Sequence, residues 1–238
     1  MPVAITFDVG GTLAVGDLDK REFVSHVLEY LSGLGFSVSK RAYKKALDGA
    51  MRKLRSLRAR GREMAFEDFY SLVMSGLGIT PDEELLAQLR RLYFSCFRAQ
   101  VVPEARPVLE TLEGRYRLAV ISNSMSCVPR WILEEAGIDG YFEAILISGE
   151  VGWRKPHERI FRLALAQLGL QDRPGQVVHV GNSPSEDVAG AKAVGMKAIL
   201  LLKPGSGAGE EGGAWEAEPD LVIRSLRQLP EALEELDP

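Results

Sequence analysis

Residues 3–13 read VAITFDVGGTL. Val3 to Phe7 are apolar and rich in β-branched residues, the pattern of a short strand buried on both faces. The run stops at Asp8, and Gly10, Gly11 and Thr12 follow at once. Two glycines let a backbone turn tightly and approach an anion with its N–H groups, because no Cβ stands in the way. A carboxylate is thus expected at the carboxyl tip of a buried strand, where open parallel sheets bind their ligands. The ordinary alternative is an Asp that merely starts a turn.

Working outward, the chain has 238 residues, enough for one large domain or for a core with a smaller insertion. A formal charge of -4 gives no reason to expect a nucleic-acid partner. Cys96 and Cys127 are the only cysteines, too few for a disulfide framework and not in a metal-type spacing. The first residues lack the basic start of a signal peptide, and no segment approaches the length of a membrane span. A soluble, cytoplasmic protein is expected, and its oligomeric state is not legible.

After Leu13 comes a polar hinge, AVGDLDK, and then helical periodicity from Asp19 to about Gln100 with no strand. Four helices are expected there: one with Phe23, Val27, Tyr30 and Leu31 on its apolar face; one capped by Ser39; one over 66–75; and one opened by Thr80 as cap with Pro81 in its first turn. Arg52, Lys53, Arg55, Arg58, Arg60 and Arg62 spread over most of a polar circumference and read as a solvated surface. His26 lies at the edge of an apolar stripe and reads as a boundary residue.

From Pro103 onward, β and α patterns alternate. Strands are expected over 117–122, 144–147, 177–180, 198–202 and 220–223, with helices between them, including one that Pro156 opens and one over 185–194. This is the pattern of a parallel sheet covered on both faces, an α/β, Rossmann-like doubly wound fold. The strand at Val3–Phe7 needs those partners, so residues 1–13 and 101–238 should form one domain, with 14–100 inserted as a four-helix module. The Gly- and Glu-rich stretch 203–219 reads as a mobile surface loop.

Polar residues recur just after apolar strands: Ser122-Asn123, and Gly181-Asn182 with Asp187 five positions on. Lys155 precedes Pro156 in WRKPHERIF. Each has an ordinary reading as a cap, a solvated lysine or an early-helix acid. With Asp8 they would all meet at one carboxyl edge.

In FDVGGTL, VISNS, RKP and VGNSPSED, in that order and spacing, the chain resembles the haloacid dehalogenase-like superfamily of hydrolases, mostly phosphatases. The helical insert after the first motif is similar to that superfamily's cap. The resemblance implies that Asp8 is the nucleophile. It implies that Gly11, Thr12, Ser122, Asn123 and Lys155 hold the transferring phosphoryl group of a small phosphorylated substrate. It also implies a Mg²⁺ held by Asp8, the Gly10 carbonyl, Asn182 and Asp187. Two positions depart from the family pattern. Gly10 stands where its phosphatases carry an Asp that serves as general acid and base, and Asn182 where they usually carry Asp. The metal-independent 2-haloacid dehalogenases are the rival enzyme reading, since they tolerate neutral residues in the fourth motif, although they have Tyr where this chain has Gly10. A weakened member kept for binding alone is the rival from another class.

Overall fold

A computed structural model describes residues 2–202 and 216–236. The chain runs β1 (Ala4–Phe7), β2 (Ala14–Leu18), α1 (Lys20–Gly33), α2 (Lys40–Arg58), α3 (Phe66–Gly76), α4 (Glu83–Ser95) and β3 (Phe97–Val101). It continues through α5 (Ala105–Leu112), β4 (Arg117–Ser122), α6 (Val128–Glu135), β5 (Ala144–Ile147), α7 (Ser148–Val151) and α8 (Glu158–Gln167). The last elements are β6 (Val177–Gly181), α9 (Ala189–Ala193), β7 (Lys197–Leu201), β8 (Leu221–Ile223) and α10 (Leu229–Glu235). Two compact units result, one of residues 1–15 and 100–238, the other of residues 16–99.

The first unit is built on a six-stranded sheet of order β5-β4-β1-β6-β7-β8 in which every pairing is parallel. β1 is fully buried, as a strand with neighbours on both edges and helices on both faces must be. Ala4, Ala119, Ile121, Leu146 and Leu200 share one core cluster with Ile160, Phe161, Ala164 and Leu165 of α8. Ile5, Phe7, Leu118 and Val120, opposite in the pleat, are equally buried. From β1 the chain moves outward through β4 and β5, then returns to the other side of β1 at β6. That reversal leaves a crevice at the carboxyl ends of β4, β1 and β6, the usual ligand position in such sheets.

The second unit is helical. Phe23, Val27 and Leu31 of α1, Tyr43 and Leu54 of α2, Phe66, Phe69 and Met74 of α3, and Leu85 and Leu89 of α4 are among its buried residues. Ser39 caps α2 by accepting the Ala42 N–H. Arg52, Lys53, Arg55, Arg60 and Arg62 are exposed, and Arg58 pairs with Glu63.

Several local expectations are corrected. The hinge after Leu13 contains a strand, β2, which pairs with β3 in a two-stranded ribbon, so the stretch before Gln100 is not wholly helical. Bonds from Val102 N–H to Leu13 O and from Asp19 N–H to Cys96 O bracket that ribbon. Asp82, not Thr80, caps α4: its carboxylate accepts the Leu85 N–H at 2.8 Å, and Pro81 lies outside the helix. Pro156 does not open α8; His157 caps it, and Lys155–Pro156 is a cis peptide. The helix expected over 185–194 is a π-helical turn, Pro184–Val188, followed by α9. Of the expected loop 203–219, residues 203–215 lie outside the described residues. Among those described, no helix is long and apolar enough to cross a membrane.

Candidate active site

Register places the chemistry. Phe7 pairs with Val120 on one side and Val180 on the other, so Asp8, Ser122 and Gly181 end neighbouring strands at one edge. The Asp8 N–H still donates to Val180 O at 2.9 Å, which holds its Cα against β6. Lys155 arrives from the loop before α8 and is 1% exposed. Its Nζ donates to Asp8 Oδ1 at 2.8 Å and to Asp187 Oδ1 at 2.6 Å.

Glycines make room for this arrangement. A Cβ on Gly181 would lie 2.2 Å from Cγ of Asp187, so only glycine lets that carboxylate rest against the strand. Gly11, at φ +83°, turns the chain after β1, and a Cβ there would meet the Asn182 amide at 2.5 Å.

Behind Asp187 lies a second buried pair. His179 Nε2 is 3.1 Å from Asp187 Oδ1, and His179 Nδ1 is 2.8 Å from Thr6 Oγ1. A carboxylate only accepts, so Nε2 carries the proton; in the neutral ring Nδ1 then accepts from the Thr6 hydroxyl. Thr6 and His179 are register partners on adjacent strands, and the Phe161 and His179 rings pack in a T shape with their centres 5.2 Å apart. The result is a continuous chain, Thr6–His179–Asp187–Lys155–Asp8.

Its electrostatics follow from burial. Desolvation pushes the Asp8 carboxyl up to about 6, against the pull of Lys155 and with help from the nearby Asp187 charge. Burial alone would lower the Lys155 ammonium, but Asp187 and Asp8 outweigh it and hold it above its ordinary value. Burial works against the Asp187 charge too, yet Lys155 and His179 keep that carboxyl below the ordinary range. Burial lowers His179 and keeps it neutral. A fixed ammonium therefore sits between a firmly ionised carboxylate and a more basic one.

A strand-tip carboxylate, a buried lysine and a fourth-motif acid, on this sheet order, coincide with a family match. Haloacid dehalogenase-like hydrolases as a group match residues 3–195. The chain belongs to that family. Among solved structures, a 2-haloacid dehalogenase from Pseudomonas syringae superposes with TM-score 0.73 at 24% identity, covering 99% of each chain. A phosphoserine phosphatase of Thermus thermophilus is 37% identical over 142 residues, 57% of this chain and 53% of that protein. A ribulose-1,5-bisphosphate 5-phosphatase of Halopiger xanaduensis is 27% identical over 207 residues, 84% of this chain and 85% of that one. The matches to the Thermus protein and to a glyceraldehyde 3-phosphate phosphatase of Methanothermobacter thermautotrophicus span only 53% and 58% of those proteins' own lengths.

The expected residues of this family member fare unequally. Asp8, Lys155 and Asp187 are brought into direct contact, and Ser122, at the tip of the neighbouring strand, is buried. Thr12 is buried with its hydroxyl unpartnered. Gly11, expected to present its N–H to phosphate, donates it instead to Ala14 O at 2.7 Å, and the Thr12 N–H goes to Val9 O. Asn123, also expected on phosphate, clamps Lys155: its Oδ1 accepts the Lys155 N–H at 2.8 Å and its Nδ2 donates to Lys155 O at 3.1 Å. The second Nδ2 hydrogen goes to Glu186 Oε2, so no side-chain donor of Asn123 is left for a ligand. Asp187, expected among the metal ligands, spends Oδ1 on Lys155 and His179 and accepts the Ser183 N–H on Oδ2.

Thr6, His179 and Glu186 were not singled out from sequence. The signal for the first two was a polar residue in the middle of an otherwise apolar strand, in AITF and VVHVG.

Proposed function

We propose that this hydrolase is a phosphatase that acts on a small phosphorylated metabolite through an aspartyl-phosphate on Asp8. The observation that carries the reading is Lys155 Nζ lying 2.8 Å from Asp8 Oδ1 and 2.6 Å from Asp187 Oδ1, all buried at the sheet's carboxyl edge. The phosphatase names of the relatives support it.

In this reading an Asp8 carboxylate oxygen attacks phosphorus, and the bond to the leaving oxygen breaks with its electron pair. Lys155 has three N–H donors and uses two on carboxylates, which leaves the third for a phosphoryl oxygen. Its retained charge offsets the anion that it contacts. The unpartnered Thr12 hydroxyl and the buried Ser122 hydroxyl donate to the same group. Asp187 and His179 hold the ammonium in place, and Asn123 holds its backbone.

The donors fit a Mg²⁺ ion. The Asp8 carboxylate, the Gly10 carbonyl and the Asn182 amide oxygen are hard oxygens and would hold it, with water filling the remaining positions. With one carboxylate among three donors, its affinity should be weak. Bound there, it would supply further neutralisation of phosphoryl charge. The helical unit, inserted directly after the Asp8 turn, is proposed as the cap that selects the substrate.

The neutral Asn182 favours one second reading, a metal-independent 2-haloacid dehalogenase using the same Asp8. A panel of phosphate esters, acyl phosphates and 2-haloacids, with Mg²⁺ or with EDTA, tests both. Phosphate release that EDTA abolishes supports the phosphatase. Halide release indifferent to EDTA overturns it.

A further inference from the structure

The helical unit carries a cluster that the proposed chemistry does not use. Glu22 and His26 stand four residues apart on α1, one turn up the same face. Cys96 closes the C-terminal end of α4, and its carbonyl accepts the N–H of Asp19, the residue that caps α1. That bond joins the start of α1 to the end of α4 and brings the buried Cys96 Sγ to 3.4 Å from His26 Nδ1. One oxygen of Glu22 completes the group, and the three donor atoms all lie within 4.8 Å of one another.

The Cys96–His26 contact has the length of an ordinary sulfur–nitrogen hydrogen bond, and the same spacing also suits two ligands of one metal ion. A tetrahedral zinc ion with bonds of about 2.3 Å to sulfur and about 2.05 Å to nitrogen separates those atoms by roughly 3.6 Å. The observed Sγ–Nδ1 edge is 3.4 Å, so along that edge little movement is needed, and the Glu22 carboxylate, within 4.8 Å of both atoms, would close the rest. Thiolate, imidazole and carboxylate together select a borderline cation such as Zn²⁺ over Mg²⁺. Glu22 also pairs with Arg98 at 2.6 Å, but those side chains are 35% and 60% exposed. Such an exposed pair contributes little, so coordination can share or displace it at little cost.

We propose that Glu22, His26 and Cys96 form a binding site for Zn²⁺, with water as the fourth ligand. The ion would fasten α1 to the junction of α4 and β3, beside the two strands through which the chain enters and leaves the helical unit. Zinc binds the thiolate, so loading should release the Cys96 proton. The site does not depend on the phosphatase reading.

The test is a titration of the reduced, chelator-treated full chain with Co²⁺, a visible stand-in for Zn²⁺. A thiolate-to-cobalt charge-transfer band should grow to one equivalent and disappear on adding Zn²⁺. Cys96→Ser should abolish the band, and His26→Ala should weaken apparent affinity by at least about tenfold. Cys127→Ser and Asp8→Asn should leave it intact, which separates this site from any ion at the sulfur-free Asp8 edge. Thermal melting gives a second readout: Zn²⁺ should raise the midpoint of the parent chain and not that of His26→Ala or Glu22→Gln. The proposal is overturned by the absence of a charge-transfer band, by a band that survives Cys96→Ser, or by equal Zn²⁺ stabilisation of the parent and His26→Ala.

Discussion

Gly10→Asp should convert this site from one that cleaves only good leaving groups to one that also cleaves poor ones. The substitution fits the backbone. Gly10 is exposed and not among the positive-φ glycines, and a Cβ built on it meets nothing within 4 Å. Folding stability should therefore change by less than about 1 kcal/mol, with restriction of the unfolded chain pulling towards a gain. A carboxyl two residues beyond Asp8 can protonate a leaving alkoxide and later activate water. General acid–base groups contribute about 10²–10⁴-fold, or roughly 3–5 kcal/mol of barrier. p-Nitrophenyl phosphate and acyl phosphates leave without protonation and should gain little, whereas sugar phosphates should gain most of that range. The assay is inorganic phosphate release under kcat/KM conditions on both substrate classes, with a melting curve for each protein. The ratio of sugar phosphate to p-nitrophenyl phosphate turnover should rise by about 10²–10⁴-fold. A variant that melts like the parent and leaves that ratio unchanged would refute the claim that Gly10 marks a missing proton carrier.

Other expectations follow from the buried network. Asp8→Asn should stabilise the fold at pH 8. With the carboxyl raised from 3.8 to about 6, the native state binds more protons than the unfolded state between those values. Ionising Asp8 thus costs stability as pH rises through that window, by about 3 kcal/mol once above it, and the advantage of Asn should vanish near pH 4 in denaturant titrations. For the same reason kcat/KM at sub-saturating Mg²⁺ should fall as pH drops below about 6, because protonation both disables the nucleophile and competes with the ion for Asp8. His179→Leu leaves the Thr6 hydroxyl and one Asp187 lone pair unmatched; it should cost about 1–3 kcal/mol of stability and lower kcat, while His179→Gln, which keeps an N–H for Asp187, should recover most of both. Parent-like kcat in His179→Leu would remove His179 from the network. Asn123→Ala should lower kcat through a loosened Lys155 with little change in KM; a rise in KM alone would return Asn123 to the phosphate.

The sheet was legible because fully buried parallel strands are continuous apolar runs, as AITF, RLAVIS and VVHVG are. Residues just past such runs fall at one edge whatever their identity, so Asp8, Ser122 and Asn182 could be placed before any contact was known. The β2–β3 ribbon was not legible. AVGDL and FRAQV are half-exposed and lack strong strand propensity, and each is a strand because it pairs with a segment distant in sequence. The motifs assign Asn123 and Asp187 to ligands, whereas both hydrogen-bond Lys155 and divide their remaining side-chain bonds among Glu186, His179 and Ser183. Spacing shows that polar groups converge; it does not show which of them spend their donors and acceptors on each other. His179 was hidden because a histidine in a buried strand becomes informative only when its two partners, Thr6 and Asp187, are known.

The claim that Asp8 is the nucleophile of a phosphatase is tested most directly by trapping the intermediate. Without a carboxyl at position 10 to activate water, hydrolysis of an aspartyl-phosphate should be slower than its formation, so the acyl phosphate should accumulate. Acid quench during turnover of p-nitrophenyl phosphate, followed by peptide mass spectrometry, should find one phosphoryl group on the peptide containing Asp8, sensitive to hydroxylamine and absent in Asp8→Asn. Phosphate release that continues with no label on Asp8, or that persists in a folded Asp8→Asn variant, would contradict the account.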